Sequence, residues 1–97
     1  MSKLIKFEKE NCPACTMVEN FLNDNGINGK LAEDFNEFIK NSELKFAKFN
    51  PFQIPKIAAK FMISSVPVTI LVDDEGNEIQ RSRGFNPAEL EQLISQL

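Results

Sequence analysis

Residues Lys3–Leu22, KLIKFEKENCPACTMVENFL, carry two different periodicities joined by a pair of cysteines. Leu4, Ile5 and Phe7 make a short apolar run that predicts a strand over Lys3–Glu8, closed by the polar Lys9-Glu10-Asn11. Met17, Val18, Phe21 and Leu22 recur at helical spacing and predict a helix from about Pro13 to Asn23. Between them stands Cys12-Pro13-Ala14-Cys15, which holds the only two cysteines of the chain. Spaced three apart at a helix start, the two thiols share one face and can close into a disulfide or open without rearranging the chain. A helix N-terminus carries about half a positive charge and free N–H groups, which favour a thiolate. Pro13 suits the first helical position, where no N–H donor is needed. The pattern points to a redox-active dithiol, with Cys12 outward as nucleophile and Cys15 behind it as resolving thiol. Two thiolates also bind soft metals, so half of a zinc or iron–sulfur site is the competing reading.

Composition narrows the chemistry around that pair. The 97 residues are 42% hydrophobic and 26% charged, as expected for one globular domain spanning 1–97. A net charge of −3 and a pI near 4.9 argue against nucleic acid or an anionic membrane as partner. There is no histidine, which removes Ser-His and Cys-His catalysis and the usual zinc ligand sets. Met1–Lys6 offers no apolar stretch of the length of a signal peptide or membrane span, so a cytoplasmic monomer is expected. In a reducing compartment a lone CxxC is a catalytic or metal-binding feature rather than a staple.

Working outward, Asn23-Asp24-Asn25-Gly26 stops the first helix. Leu31, Phe35, Phe38 and Ile39 predict a second amphipathic helix over about 30–41 with all four facing the core. Glu43–Phe49 is a second strand, reached through helices and therefore expected to lie parallel to the first. Ile54–Phe61 is a short helix. Val66–Val72, VPVTILV, is the most strand-like run in the chain. Asp73–Asn77 turns a hairpin into a last strand, Glu78–Arg83. Asn86-Pro87-Ala88-Glu89 has the N-cap, proline and capping-box glutamate of a final helix, with Leu90, Leu93, Ile94 and Leu97 as its buried stripe. The order predicts an α/β fold, a four-stranded mixed sheet with helices on both faces. The CxxC falls at the carboxyl end of the first strand, where open α/β sheets place their sites.

With these markers on the page, the chain resembles the thioredoxin superfamily. The resemblance rests on strand–CxxC–helix, on Phe46-Ala47-Lys48-Phe49-Asn50, on Ser65-Val66-Pro67 before a strand and hairpin, and on Gly84 before the terminal helix. It implies a thioredoxin fold and a cis bond at Val66–Pro67, turning the Val66 backbone toward the dithiol, where it pairs with an extended substrate segment. Pro13, Ala14, Val66, Pro67 and Gly84 are the implied substrate-binding residues. No metal ligands and no bound cofactor are implied beyond the redox disulfide, with electrons from NADPH through thioredoxin reductase.

Within the superfamily the signals are mixed. Phe-Ala-Lys-Phe-Asn looks like thioredoxin, whereas Cys-Pro-Ala-Cys and Ser-Val-Pro look like glutaredoxin. Gly84-Phe85-Asn86-Pro87 resembles the small redoxins that reduce ribonucleotide reductase. The double-glycine turn that grips glutathione is replaced by Arg83-Gly84-Phe85-Asn86. Asn11 replaces the tryptophan that precedes the nucleophile in thioredoxins, and the segment from Gly29 to Ser42 lengthens the first crossover. Lys6 stands where thioredoxins bury an aspartate beneath the resolving cysteine. Two readings of Lys6 are open. It snorkels to the sheet edge and contributes nothing, or Lys6 and Lys48 both approach the dithiol and lower the thiol pKa values. The expected activity is reduction of protein disulfides through a Cys12–Cys15 cycle, with ribonucleotide reductase as one client. The alternatives are a glutathione-dependent glutaredoxin, the metal site, and a redox-switched binding module.

Overall fold

A computed structural model describes residues 2–97. In chain order it contains β1 (Lys3–Phe7), α1 (Pro13–Asp24), α2 (Phe35–Lys40), β2 (Phe46–Phe49), α3 (Pro55–Lys60), β3 (Val68–Val72), β4 (Glu78–Arg83) and α4 (Pro87–Ile94). The strands form one sheet in the order β2-β1-β3-β4. β1 and β2 are parallel, while β3 runs antiparallel to both β1 and β4. β1 is therefore an inner strand, and all five of its residues are buried.

Alternation along the strands sorts the interior into two layers. Ile5, Phe7, Ala47, Phe49, Val68, Ile70 and Val72 point to one side, where Phe35 and Phe38 of α2 and Phe61 after α3 complete an aromatic cluster. Leu4, Phe46 and Leu71 point to the other, against Val18 and Leu22 of α1 and Leu90 and Leu93 of α4. The helices thus cover both faces, as the pattern predicts.

The second helix and the second strand are markedly shorter than expected. The second helix begins at Phe35 rather than near Lys30, because Asp34 caps it by accepting from the Glu37 N–H at 3.0 Å. Leu31, expected on the buried stripe, is instead half exposed and bridges Lys48 in parallel. Lys48 N donates to the Lys30 carbonyl at 3.0 Å and Ala32 N to the Lys48 carbonyl at 2.7 Å. These bonds cover the outer edge of β2, which would otherwise be an unpaired sheet edge. β2 itself starts at Phe46, not Glu43; Glu43 and Leu44 are exposed in the preceding turn.

Lys3 is buried beside that turn. Its Nζ donates to the Asn41 and Leu44 carbonyls at 2.5 and 2.6 Å and lies 4.9 Å from the Phe38 ring centroid. It ties the end of α2 to β1. In α4, Asn86 caps the helix as expected by accepting from Glu89 N at 3.2 Å. The reciprocal half of the capping box is not made: the Glu89 carboxylate accepts from the Ser82 hydroxyl at 3.0 Å.

Candidate active site

The loop from Glu8 to Asn11 leaves the carboxyl end of β1 and turns sharply at Asn11, which has φ 54°. Asparagine tolerates this left-handed backbone better than most side chains, which a tryptophan would not. Cys12 follows as the N-cap of α1, with extended φ/ψ of −123° and 97°, and Pro13 occupies the first turn. Cys12 and Cys15 are joined in a disulfide with Cα atoms 5.2 Å apart. The Cys15 amide donates to Cys12 Sγ at 3.2 Å, so a helix N-terminal N–H already points at that sulfur. Cys15 is only 4% exposed, while Cys12 is half-buried, in keeping with an outer and an inner thiol.

The Val66–Pro67 peptide is cis. Pro67 is buried and immediately precedes Val68, which is paired with Phe7 at the end of β1. It therefore stands at the same end of the sheet as the dithiol. The Pro67 carbonyl accepts from the Gly84 N–H at 2.9 Å, which brings those two site residues together. Gly84 has φ 66°, a left-handed backbone suited to glycine. Val66 has no backbone hydrogen-bond partner among the described residues, and Pro13 and Ala14 lie on the accessible side of the helix start. Phe85 is turned inward onto Phe21, their ring centroids 6.2 Å apart.

Lys6 is the main correction to the sequence reading. It does not snorkel to an edge; it is 1% exposed in an inner strand, and its Nζ donates to Glu8 Oε1 at 2.7 Å. Lys48, its register partner on β2, is half-buried and paired with Glu19 of α1. Glu19 lies four residues beyond Cys15, on the same flank of the helix. The sequence reading missed Glu19, and that spacing was the only signal for it. The Glu19 carboxyl is held below its ordinary value of 4.5, first by the hydrogen bond from Lys48 and with added attraction from Lys48 and Lys6, against opposing desolvation. Thr69, paired with Lys6 on the other side, is fully buried with no hydrogen-bond partner for its hydroxyl among the described residues. No cluster of three or more metal-ligating side chains occurs among the described residues. Among the described residues no helix is long and apolar enough to cross a membrane.

A CxxC disulfide at a helix N-terminus, on a mixed four-stranded sheet with a cis-proline at the same end, defines a thiol–disulfide oxidoreductase of thioredoxin fold. The chain belongs to the thioredoxin superfamily: the thioredoxin-like domain family matches residues 2–97. It is 38% identical over 95 residues to the SPbeta prophage-derived thioredoxin-like protein YosR of Bacillus subtilis, covering 98% of each chain. It is 28% identical to Thioredoxin H2 of Arabidopsis thaliana, over 97% of this chain and 61% of that one. The fold matches oxidised mitochondrial thioredoxin 3 of Saccharomyces cerevisiae with a TM-score of 0.68 at 23% identity, covering 99% of this chain and 78% of that one. It matches Malassezia sympodialis thioredoxin with a TM-score of 0.71 at 19% identity, covering 98% and 73% of the two chains.

Proposed function

We propose that the protein reduces disulfides in client proteins, with Cys12 as nucleophile and Cys15 as resolving thiol. The observation that carries this is the asymmetry of the pair: a half-buried Cys12 capping α1 under the Cys15 N–H, and a buried Cys15. Once the pair is reduced, that N–H and the helix N-terminus favour negative charge on Cys12 Sγ. The Cys12 thiolate attacks a client disulfide, a mixed disulfide forms, and one client sulfur leaves. Cys15 Sγ then attacks Cys12 Sγ, the second client sulfur departs with its electron pair, and the Cys12–Cys15 disulfide re-forms. Pro13 has no N–H to offer the thiolate, so the Cys15 amide is the donor that the Cys12 sulfur holds here.

The unpartnered Val66 backbone beside the cis-proline supports binding of an extended client segment there, along with Pro67, Gly84, Pro13 and Ala14. A groove of about 380 Å³ extends from Val66 past Ser65 and Ile63 to Phe52, giving such a segment an apolar wall. Electrons would come from NADPH through thioredoxin reductase, with ribonucleotide reductase among the clients, in a cytoplasmic setting. Reduction of insulin is the test, driven either by NADPH with thioredoxin reductase or by NADPH with glutathione and its reductase. Turnover in the first system, abolished in Cys12→Ser, is the expected result. Turnover with glutathione alone would make the protein a glutaredoxin, and full activity of Cys12→Ser would remove Cys12 as nucleophile.

A further inference from the structure

A single row of polar side chains crosses the sheet beneath α1. Lys48, Lys6, Thr69 and Ser82 are register partners on β2, β1, β3 and β4, and all point to the α1/α4 side. One row back, Phe46, Leu4 and Leu71 pack under Val18 and Leu22. One row forward, Glu8 N donates to the Phe49 carbonyl, and Pro67 meets Gly84. The chain reverses between β1 and α1, so α1 runs back over the strand it follows. Leu22 and Val18 lie over the apolar row, which sets Cys15, one turn earlier, over the charged row. Glu19 reaching Lys48 fixes the same height from the helix side.

The charges in this row are unequally buried. The Lys6 and Lys48 side chains are 1% and 18% exposed, while their partners Glu8 and Glu19 are 21% and 37% exposed. Water screens the two carboxylates more than the two ammonium groups, so the field on the inner side, where Cys15 lies, is positive. The other charged groups nearby do not reverse it. Glu89 of α4 is engaged with Ser82 at the far end of the row, and Lys9 and Glu10 of the loop are exposed and opposite in sign.

We propose that Lys6 is a positioning residue for the dithiol. Its buried ammonium favours the thiolate form of the inner sulfur, Cys15, once Cys12 is engaged in the mixed disulfide, and Glu8 limits that effect. The proposal deepens the proposed function, since it assigns how the resolving thiol loses its proton. A Cys15 already ionised needs no base when it attacks Cys12 Sγ. The new S–S bond forms, the Cys12–client bond breaks, and the departing client sulfur takes its electron pair and a proton from solvent. The chain has no imidazole to act otherwise.

Titration of thiolate absorbance in the reduced protein, with the equilibrium against dithiothreitol, tests this in Lys6→Met and Glu8→Gln. Lys6→Met should raise the Cys15 thiolate midpoint by about 1 pH unit. It should also shift the equilibrium toward the disulfide by roughly tenfold, about 30 mV for a two-electron couple. Glu8→Gln keeps a hydrogen-bond acceptor for Lys6 and should move both readouts the opposite way. Unchanged midpoints in both variants, or shifts in the same direction, would overturn the proposal. If Lys6→Met does not fold, Glu8→Gln decides alone, a lowered midpoint supporting the proposal and an unchanged or raised one removing it. Failure of wild-type protein to reduce insulin would sink the client reading and leave the titration intact.

Discussion

The two faces of the sheet come from the same four strands and bury opposite things. Toward α2 and α3 the interior is aromatic: Phe49 stands 6.4, 5.8 and 5.9 Å from the rings of Phe7, Phe35 and Phe38. Two lysines lie at its margin: Lys3, satisfied by two carbonyls, and Lys60, over the Phe35 and Phe61 rings. Toward α1 and α4 an apolar row is followed, at the end carrying the dithiol, by lysines, a threonine and a serine. Burial of apolar area stabilises the first face at roughly 25 cal/mol per Å². Ion pairs taken out of water contribute little net stability, because desolvation offsets their attraction. The contrast teaches that one face is filled with aromatic side chains throughout, while the other gives part of its interior to charge at the end that carries the dithiol.

Three substitutions probe that division. Phe49→Ala empties the centre of the aromatic cluster and should lower the unfolding free energy by about 4 kcal/mol in urea titration. A loss under about 1 kcal/mol would mean that the aromatic face is not the main source of stability. Thr69→Val replaces a buried, unpartnered hydroxyl by a methyl of similar shape and should stabilise the protein by about 1 kcal/mol. Destabilisation instead would show that the hydroxyl is bonded, through water, into the charged row. Glu19→Gln should have the smallest effect. Because the folded Glu19 value lies below 4.5, its contribution is complete above that pH and is lost as pH falls through the folded value. The half-solvated pair contributes only about 0.3 kcal/mol after screening, so the variant should flatten the stability curve slightly below pH 4.5 and match wild type at acid pH. A full acid limb in the variant would assign that limb to another carboxylate held low, Asp73 by its hydrogen bond from the Asn77 backbone or Glu78 by its hydrogen bond from Arg81.

Much of the molecule was legible from local pattern. β1, the CxxC at the start of α1, the Asp73–Asn77 turn and the Asn86 cap each rest on residues close in sequence. The Leu31 stripe misled because helical spacing over 30–41 cannot show that an edge strand will capture residues 30–32 first. Val66–Val72 was read two residues too long because the cis-proline that opens it lies outside the ladder.

By itself the sequence determined that two cysteines meet at a helix start, with no histidine to serve them, on an alternating α/β framework. Those are properties of spacing and composition, fixed within a few residues. Only the tertiary structure decided what lies under the pair. Lys6, Lys48 and Thr69 come from three strands, 42 residues apart between Lys6 and Lys48 and 63 between Lys6 and Thr69. They meet through strand register, and α1 brings Glu19 onto Lys48. Whether a lysine in an apolar strand reaches water or stays buried depends on which strands flank it. β1 has a neighbour on each side and a helix over each face, so Lys6 has no route out and must find its partner in Glu8.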